Sequence, residues 1–343
     1  MDLLVVGGGP AGLTTALHAA RAGLDVSVWE QRAGTVDKAC GEGLMPGAVA
    51  ALAELGVSPS GHDLWGIRYV AGPCRAEAAF RAGPGRGVRR TALHGALREA
   101  VMAAGVRVEQ RAVHHVEQDE CGVVADGTRA GHLVAADGLH SPIRRALGLH
   151  RPRPAHRRRH GLRRHYVLAP WTDHVEVHWA RAGEAYVTPV AENLVGVAVL
   201  TSGRGSYDDH LAAFPELQER LTGAATAGPV RGAGPLRQDT TARTAGRVLL
   251  VGDAAGYVDA LTGEGIALAL AQAPAAVRAV IGGDLASYER EWRRLTRRYR
   301  WLTHALLGAT GLPPVRAALV PAAQRLPRLF RVTVDALARP AGT

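Results

Sequence analysis

Residues 3–30, LLVVGGGPAGLTTALHAARAGLDVSVWE, decide the fold of this chain. The apolar run at 3–6 predicts a short buried strand, and a glycine-rich turn leads from it into an alanine-rich stretch that is typical of a helix. Gly23 predicts the end of that helix, because glycine readily adopts the left-handed conformation that follows a last helical turn. A second strand is predicted at 25–29. This order indicates a βαβ unit of a parallel sheet.

The glycines of the first turn have the spacing of a dinucleotide-binding loop. Gly7 permits the tight turn, Gly9 lets the backbone approach a pyrophosphate, and Gly12 lets the helix pack closely against the strand. The free N–H groups at the helix N-terminus favour an anion. Glu30, at the end of the second strand, is placed to accept hydrogen bonds from a ribose. The predicted cofactor contacts in this segment are Gly7, Gly9, Pro10, Ala11, Gly12, Glu30 and Gln31.

Two later segments combine a strand end with a glycine and an aspartate. Asp137 and Gly138 follow a predicted strand at 133–136, and Gly252 and Asp253 follow another predicted strand. An aspartate at such a position can accept a hydrogen bond from a sugar hydroxyl, and the glycine removes a side chain that would block the approach. All four residues are predicted cofactor contacts.

A further turn, Gly-Glu-Gly-Ile at 263–266, opens a long alanine-rich helix. The N–H groups of such a helix start can bind a ring carbonyl, and the helix dipole stabilises the negative charge that develops on a reduced flavin. The predicted contacts here are Gly263, Glu264, Gly265 and Ile266.

Three of these segments together resemble the FAD motifs of the p-hydroxybenzoate hydroxylase-fold flavoproteins. They are GGGPAG at 7–12, DGLHSPIRR at 137–145 and GDAAGYVDALTGEG at 252–265. Arg90 opens a segment similar to the family's Arg-x-x-Leu, whose arginine helps to hold FAD. The resemblance implies an α/β protein with a Rossmann-like FAD-binding domain built on a mainly parallel sheet. It also implies an antiparallel-sheet substrate domain, followed by C-terminal helices.

The predicted division of the chain is discontinuous. The FAD-binding domain is expected at 1–65, 82–160 and 241–285, the substrate domain at 66–81 and 161–240, and the C-terminal helices at 286–343. The prolines expected to break these last helices are Pro313, Pro314, Pro321 and Pro327.

Residues 38–46, KACGEGLMP, are similar to the Cys-Gly loop of the geranylgeranyl reductase-like branch of this superfamily. The resemblance places this loop beside the flavin ring, and the candidates for catalysis are Cys40, Glu42 and Tyr186. Prenyl reductases of this branch carry a Tyr-x-Trp-x-Phe-Pro motif, for which residues 184–189 read EAYVTP. The candidate substrate contacts are Cys40, His178, Tyr186 and Thr188.

The polar residues of the 184–189 segment favour one substrate class over another. Glu184 and Thr188 stand at two positions where prenyl reductases have aromatic side chains. Polar groups in a pocket need hydrogen-bond partners, and a substrate with hydroxyl or carbonyl groups would supply them. This argument favours a compact ring system over a long prenyl chain.

Three other features can be explained by a structural role or by a functional one. His174, Glu176 and His178 alternate along one strand; we expect a solvent face, with a polar pocket wall as the alternative and no metal site. Seven arginines at 151–164 indicate a solvated linker, with a phosphate-binding patch as the alternative. The basic helix at 288–300 is expected to pack its aromatic side into the core, with contact with a membrane surface as the alternative.

Composition limits the class of protein. The net charge is +10, and Lys38 is the only lysine among 41 basic residues; whether it faces the cofactor or the solvent is left open. The charge attracts anions, but no arginine stripe is interleaved with aromatics, so no nucleic acid partner is expected. Three scattered cysteines favour a reducing compartment. No apolar run approaches the roughly 18 residues of a membrane span, and no signal peptide precedes the first strand, so a cytoplasmic protein without stable membrane insertion is expected.

The predicted function is that of an FAD-dependent oxidoreductase with NADH or NADPH as electron donor. A monooxygenase that hydroxylates or epoxidises a small hydrophobic or polycyclic molecule is favoured. The alternatives are a reductase of isoprenoid-type carbon–carbon double bonds and a non-redox protein in which FAD is structural. The sequence does not indicate the oligomeric state.

Overall fold

The computed structural model describes residues 1–152 and 158–338. In chain order the strands are β1 (Leu3–Val6), β2 (Val26–Glu30), β3 (Gly43–Leu44), β4 (His62–Leu64), β5 (Gly66–Ala71), β6 (Cys74–Ala79), β7 (Gly85–Gly87), β8 (Arg107–Gln110), β9 (Val116–Gln118), β10 (Val123–Ala125), β11 (Thr128–Ala130), β12 (His132–Ala135), β13 (His150–Arg151), β14 (His160–Val167), β15 (His174–Ala180), β16 (Gly183–Ala191), β17 (Leu194–Thr201), β18 (Ala225–Thr226), β19 (Arg231–Ala233), β20 (Asp239–Thr240), β21 (Thr244–Ala245) and β22 (Val248–Leu250).

The helices are α1 (Pro10–Arg21), α2 (Pro46–Glu54), α3 (Arg90–Ala103), α4 (Pro142–Ala146), α5 (Tyr207–Leu211), α6 (Pro215–Leu221), α7 (Gly265–Ile281), α8 (Leu285–Thr310), α9 (Pro313–Arg325) and α10 (Pro327–Ala338). A 3₁₀ turn covers Gly252–Ala255. No single helix among the described residues is long and apolar enough to cross a membrane; α8 and α9 pass that test only as a pair, which is bent by 115°.

The first large sheet contains the predicted βαβ unit. Its strand order is β21-β22-β12-β1-β2-β8, and every neighbouring pair is parallel except the pair with the edge strand β21. All four residues of β1 are buried, because helices cover both faces of a parallel sheet. Helix α1 packs against α3 and α7 on the sheet. The apolar residues of these elements form the largest core of the molecule.

Two glycines of the first turn are required by close backbone packing. Gly7 has φ +110°, and a Cβ atom there would lie 2.4 Å from the Ala136 carbonyl oxygen. A Cβ atom on Gly12 would lie 1.8 Å from the carbonyl oxygen of Gly7. Any side chain at either position would push the turn away from the sheet.

The second large sheet has the order β18-β14-β17-β16-β15-β5-β6, with β19 paired to β14. Its pairs are antiparallel except β5 with β15, which run parallel across a long connection. Helices α5 and α6 cover one face. Helices α9 and α10 cover part of the other face, over β5, β6 and β15. The predicted α/β class, with a parallel sheet, an antiparallel sheet and C-terminal helices, is confirmed, while the exact domain boundaries stay a prediction.

The prediction that Pro321 breaks a helix is wrong. Helix α9 continues through Pro321 to Arg325. The neighbouring Val320 is fully buried in the core between α9 and the second sheet. Packing of this side chain stabilises the turn enough to tolerate the lost backbone hydrogen bond.

The expected solvent face on β15 is also wrong, because His174, Glu176 and His178 are all buried. Both faces of β15 are covered by other parts of the protein. Side chains that alternate between the two faces are therefore buried on either side. The basic helix α8 behaves as predicted: Tyr288, Trp292 and Tyr299 are buried in the core.

Part of the arginine-rich segment is buried, whereas Arg151 and Arg158 are exposed, as expected of a solvated linker. Residues 153–157 lie outside the described residues, so that part of the prediction is not addressed. Arg159 forms ion pairs with Glu184 and Asp259 at 2.7 and 3.0 Å. Arg163 is 2% exposed and pairs with Asp37. At least these two arginines belong to the interior, because buried carboxylates accept from them.

Candidate functional site

A groove opens beside the glycine-rich turn, at the carboxyl ends of β1, β2 and β12. Crevices at this edge of an open parallel sheet commonly bind ligands. The residues that line it include Gly7, Gly9, Glu30, Gln31, Lys38 and Asp137. The structure therefore brings together predicted cofactor contacts from three separate segments of the chain.

The helix start beside this groove is built as predicted. Gly9 is the N-cap of α1, and Pro10 is its first residue. Proline suits this position because its missing N–H would be unpaired in any case. Ala11 is buried against the sheet. The N-terminus of α1 is therefore open for an anion.

Glu30 is held at the end of β2 by two backbone groups. Its Oε2 accepts from the Gly8 N–H at 2.8 Å, and its Oε1 accepts from the Arg32 N–H at 3.0 Å. Glu30 is 8% exposed and lines the groove. Each carboxylate oxygen has a second lone pair, so the side chain can fix the turn and still accept from a ribose hydroxyl.

Arg90 is the clearest sign of an anionic ligand. It is 5% exposed, and its Nη1 has no hydrogen-bond partner among the described residues. Its Nη2 lies 3.9 Å from where a Cβ atom on Gly9 would stand. Burial lowers the pKa of Arg90, which nevertheless stays charged. A buried guanidinium beside a phosphate-binding turn fits a pyrophosphate.

Lys38 and Asp137 both lie at the second predicted turn and line the same groove. The Nζ of Lys38 lies 2.8 Å from the position of a Cβ atom on Gly138, whose φ is +86°, so glycine leaves room for the ammonium group. Burial lowers the pKa of Lys38. Asp137 accepts from the Ile143 N–H at 3.2 Å through one oxygen, while its buried Oδ1 has no partner among the described residues. The structure thus places Lys38 on the cofactor side.

Asp253 follows β22, as predicted, and its carboxylate accepts no hydrogen bond from a described residue. Burial raises the pKa of Asp253, while the charges of Lys38 and Arg90 oppose that rise. Gly252, with φ +61°, turns the chain just before it, and its N–H donates to Gln272 Oε1 at 2.8 Å. An unpaired carboxylate near two cations is suited to accept from ribityl hydroxyls.

The Gly-Glu-Gly-Ile turn starts α7 as predicted. Gly263 has φ +70°, Glu264 is the N-cap, and the helix runs from Gly265 through Ile266. Glu264 is 4% exposed, its Oε2 has no partner among the described residues, and burial raises its pKa to about 7. Arg298 lies 3.7 Å from Oε1. The N-terminus of α7 thus carries an acid that titrates near neutral pH.

The Cys40 loop is tied to both domains through Glu42. Glu42 has φ +61°, a strained conformation for a residue with a side chain. Its Oε1 accepts from the Arg90 N–H at 2.8 Å, and its Oε2 lies 2.6 Å from Nε2 of His165 on β14. Arg163 can only donate to Nδ1 of His165, at 2.9 Å, so the imidazole proton sits on Nε2 and points to Glu42.

Cys40 itself is half-buried and is a free thiol. Its Sγ accepts from the Glu42 N–H at 3.3 Å. Burial, together with the charge of Glu42, raises the pKa of Cys40, so the sulfur stays protonated at neutral pH.

Tyr186 and Thr188 are both paired within the protein. Tyr186 OH donates to the Leu261 carbonyl oxygen at 2.8 Å, just before the Gly-Glu-Gly-Ile turn. Thr188 Oγ1 donates to the Gly41 carbonyl oxygen at 2.7 Å, within the Cys40 loop. These two side chains hold the sheet against the predicted flavin-side loops.

Glu184, on the same face of β16, is fully buried and lies between two arginines. Its Oε2 pairs with Arg159 at 2.7 Å, and its Oε1 pairs with Arg316 of α9 at 3.0 Å. The premise that a substrate must supply partners for Glu184 and Thr188 is therefore corrected, because the chain supplies them.

The structure does not bring His178 together with the other substrate candidates. His178 is paired with Ala185 across β15 and β16, whereas Tyr186 is paired with Val177. Side chains alternate between the faces of a sheet, so His178 and Tyr186 point to opposite sides. Nε2 of His178 lies 3.2 Å from Glu176 on the face covered by α5 and α6.

Several residues of the site were not singled out by sequence. His165 and Arg163 lie on β14, far along the chain from Glu42, and no local motif marks them. Arg144 is fully buried and donates to the Ala254 carbonyl oxygen at 3.0 Å and to Gln238 Oε1 at 2.9 Å, which joins the second and third motifs. Arg144 lies inside the DGLHSPIRR motif, so the sequence alone could have identified it as a residue of the site.

The assembled donor set fits FAD. An unpaired buried guanidinium and a helix N-terminus suit its two phosphates, two carboxylates suit its sugar hydroxyls, and a second helix N-terminus suits the flavin ring. No group of three or more His, Cys, Asp or Glu side chains suited to a metal ion occurs in the described part of the chain.

The family model described as "FAD binding domain" matches residues 1–282. Among curated proteins, the chain is 32% identical over 323 residues to menaquinone reductase of Mycobacterium tuberculosis, covering 83% of this chain and 78% of that protein. It is 32% identical over 299 residues to digeranylgeranylglycerophospholipid reductase 1 of Methanopyrus kandleri, covering 78% and 77%. It is 33% identical over 170 residues to a 3-amino-4-hydroxybenzoate 2-monooxygenase of Streptomyces platensis, covering 44% and 43%.

Solved structures show the same fold. A flavin-dependent brominase superposes with a TM-score of 0.83 at 16% identity, covering 98% of this chain and 93% of that one. A geranylgeranyl bacteriochlorophyll reductase-like protein of Thermoplasma acidophilum superposes with a TM-score of 0.75 at 22% identity, covering 100% and 92%. At these identities the likeness concerns the fold.

Proposed function

Since the chain belongs to the FAD-binding-domain family of p-hydroxybenzoate hydroxylase-like flavoproteins and is an FAD-dependent oxidoreductase, we propose that it reduces a carbon–carbon double bond in an apolar, isoprenoid-type substrate. The curated reductases match it over more than three quarters of its length, whereas the monooxygenase matches less than half. Sequence reasoning favoured the monooxygenase, and its main argument was the polar character of the pocket segment.

The observation that carries the proposal is the internal pairing of that segment. Glu184, Tyr186 and Thr188 all have partners in the protein, so none of them requires a polar substrate. The same face of the sheet carries Val177 and Leu200, in one apolar cluster with residues of α9 and α10. A hydrocarbon chain bound beside this cluster would be stabilised by about 25 cal/mol for each Å² of apolar surface that it buries.

Different residues of this chain would bind the cofactor and donate the proton. Arg90, Lys38, Glu30 and Asp253 would hold FAD, which would supply a hydride, that is, both electrons and one of the two added hydrogens, when it is bound. Saturating a double bond also requires a proton at the second carbon. We assign that proton to Sγ of Cys40, which burial keeps in its neutral form and which would regain its proton from water. NADH or NADPH, attracted by the positive net charge, is the proposed electron donor.

Anaerobic turnover tests the proposal. Purified holoenzyme, NADH or NADPH, and a menaquinone or a geranylgeranyl lipid are incubated without oxygen, and products are analysed by mass spectrometry. The expected product has gained two hydrogen atoms. Cys40→Ser should slow product formation while flavin reduction by the electron donor continues, and Cys121→Ser, at an exposed cysteine, is the matched control.

A monooxygenase remains the second candidate, because the relative from Streptomyces platensis shares 33% identity over 170 residues. It requires oxygen and gives a product that has gained one oxygen atom. Product formation only in air, with that mass change, would establish the monooxygenase and reject the reductase.

A further inference from the structure

The end of the chain is strongly basic. Residues 292–334 contain no aspartate or glutamate. The arginines in this stretch are Arg293, Arg294, Arg297, Arg298, Arg300, Arg316, Arg325, Arg328 and Arg331. Some of them serve the interior, as Arg316 does through its pair with Glu184. Arg325, Arg328 and Arg331 form no such pair with the interior among the described residues.

These last three arginines alternate with exposed apolar residues across the junction of α9 and α10. The pairs are Arg325–Leu326, Arg328–Leu329 and Arg331–Val332. Leu326, Leu329 and Val332 are 54%, 61% and 64% exposed, and all three arginines are exposed too. We call these six residues the basic–apolar ridge. Within α10, a spacing of three residues places Arg328 with Arg331, and Leu329 with Val332, on neighbouring parts of the helix surface. Arg325 ends α9, and Leu326 lies at the break between the two helices.

The ridge is distinct from the side of α10 that packs into the protein. Phe330, Val334 and Leu337 are buried and bind α10 to the body of the molecule. Arg325, Arg328 and Arg331 form no ion pair or hydrogen bond through their side chains within residues 1–152 and 158–338. The helix thus presents a second, unpaired surface of guanidinium groups and large apolar side chains.

We propose that the basic–apolar ridge docks the protein on the surface of an anionic phospholipid bilayer. Arginine side chains bind lipid phosphates, and adjacent Leu and Val side chains enter the boundary between headgroups and acyl chains. Charge argues against a second copy of the chain as the occupant. A two-fold contact would bring the three arginines of one copy close to those of the other, and the nearest acidic residue in sequence, Asp335, is already paired with Arg81 at 3.2 Å.

The location connects docking with the proposed substrate. Val320 of α9 and the buried face of α10 belong to the same apolar cluster as Tyr186 and Trp179. The helices that carry the ridge therefore also form a wall of the proposed substrate region. The inference rests on the proposed function only for this connection, since docking itself requires no turnover.

Vesicle flotation with the holoenzyme tests the proposal. The vesicles contain either phosphatidylcholine alone or phosphatidylcholine with phosphatidylglycerol, and no substrate is added. We expect flotation with the anionic vesicles at low salt and its loss at roughly 0.5 M salt, where the Debye length is only a few ångströms. Absence of flotation with anionic vesicles at low salt would overturn the proposal.

Two ridge variants locate the contact. Each arginine near an anionic surface contributes about 1 kcal/mol, or about fivefold in partitioning, so R325Q/R328Q/R331Q should weaken binding about 100-fold. L329S/V332S should weaken it as well, since it removes the apolar part of the contact. Flavin content and the thermal midpoint of each variant verify folding.

The matched control is R107Q/R181Q/R204Q, which removes the same charge from exposed arginines on other parts of the surface. It should retain most of the binding. An equal loss in the control would show that net charge alone drives binding and would overturn the role of the ridge. A change of oligomeric state in the ridge variants by light scattering, with vesicle binding intact, would assign the ridge to a second copy instead. Anaerobic reduction of a detergent-solubilised substrate by the ridge variants separates failure of docking from failure of the proposed reductase activity.

Discussion

Glu264 offers a direct test of the site at the start of α7. It is almost completely buried, one carboxylate oxygen has no partner among the described residues, and its pKa is raised by burial to about 7. In the unfolded chain a glutamate titrates near 4.3. The folded protein therefore binds the proton more tightly than the unfolded chain. The stability that this proton provides is fully present below about pH 4.3 and is lost as the pH rises through about 7.

The size of the effect follows from the difference between the two pKa values. One pKa unit corresponds to about 1.4 kcal/mol, so the loss amounts to about 4 kcal/mol between pH 4.3 and pH 7 and is constant above that range. Glu264→Gln keeps the shape of the side chain but does not titrate. The free energy of unfolding of the variant, relative to the wild type, should therefore rise by about 4 kcal/mol over this interval.

Urea unfolding at several pH values between 4.5 and 8.5, at a fixed excess of FAD, measures this difference. Tryptophan fluorescence follows unfolding, and comparison of the two proteins at each pH cancels the titration of all other groups. If the two stability curves ran parallel across the whole range, Glu264 would not be the buried acid that the structure shows, and the reasoning would fail.

Three further predictions concern single contacts. Glu30→Ala should weaken FAD binding roughly 10- to 100-fold by equilibrium titration, and Glu30→Gln should weaken it less, because the amide oxygen can still accept from the Gly8 N–H. Asp253→Ala should lower FAD occupancy, measured by flavin absorbance per chain, while circular dichroism of the apoprotein stays unchanged; full occupancy at low FAD concentration would contradict its role. Tyr186→Phe leaves the buried Leu261 carbonyl oxygen without its donor and should lower the free energy of unfolding by about 1–3 kcal/mol, and an unchanged urea midpoint would show that the hydrogen bond is not formed.

The parts of the site that depend on local pattern could be predicted from the sequence. A strand followed by closely spaced glycines and a helix needs only neighbouring residues, so the turn at Gly7 was predicted with the correct structure. Ser141 is another local feature of this kind: it caps α4, and its Oγ accepts from the Arg144 N–H at 2.9 Å. Such features follow from backbone geometry and capping chemistry within a few residues.

The contacts that depend on distant segments could not be predicted. The carboxylate of Glu184 is neutralised by Arg159 and Arg316, which lie on other elements, so its burial could not be inferred from its neighbours. The burial of His178 could not be predicted from its neighbours either. Alternation along β15 assigns side chains to two faces, but only the packing of α5 and α6 determines that its face is covered.

The pairing of β5 with β15 has a consequence for how the chain folds during its synthesis. The β5–β6 hairpin leaves the ribosome about one hundred residues before β15, the strand on which it docks. At synthesis rates of roughly 5–20 residues per second, the hairpin waits about 5–20 seconds with an unpaired edge. β1 waits still longer for β12, its parallel neighbour. Both sheets are thus completed late in translation, and the nascent chain has to be protected from edge-to-edge association until then.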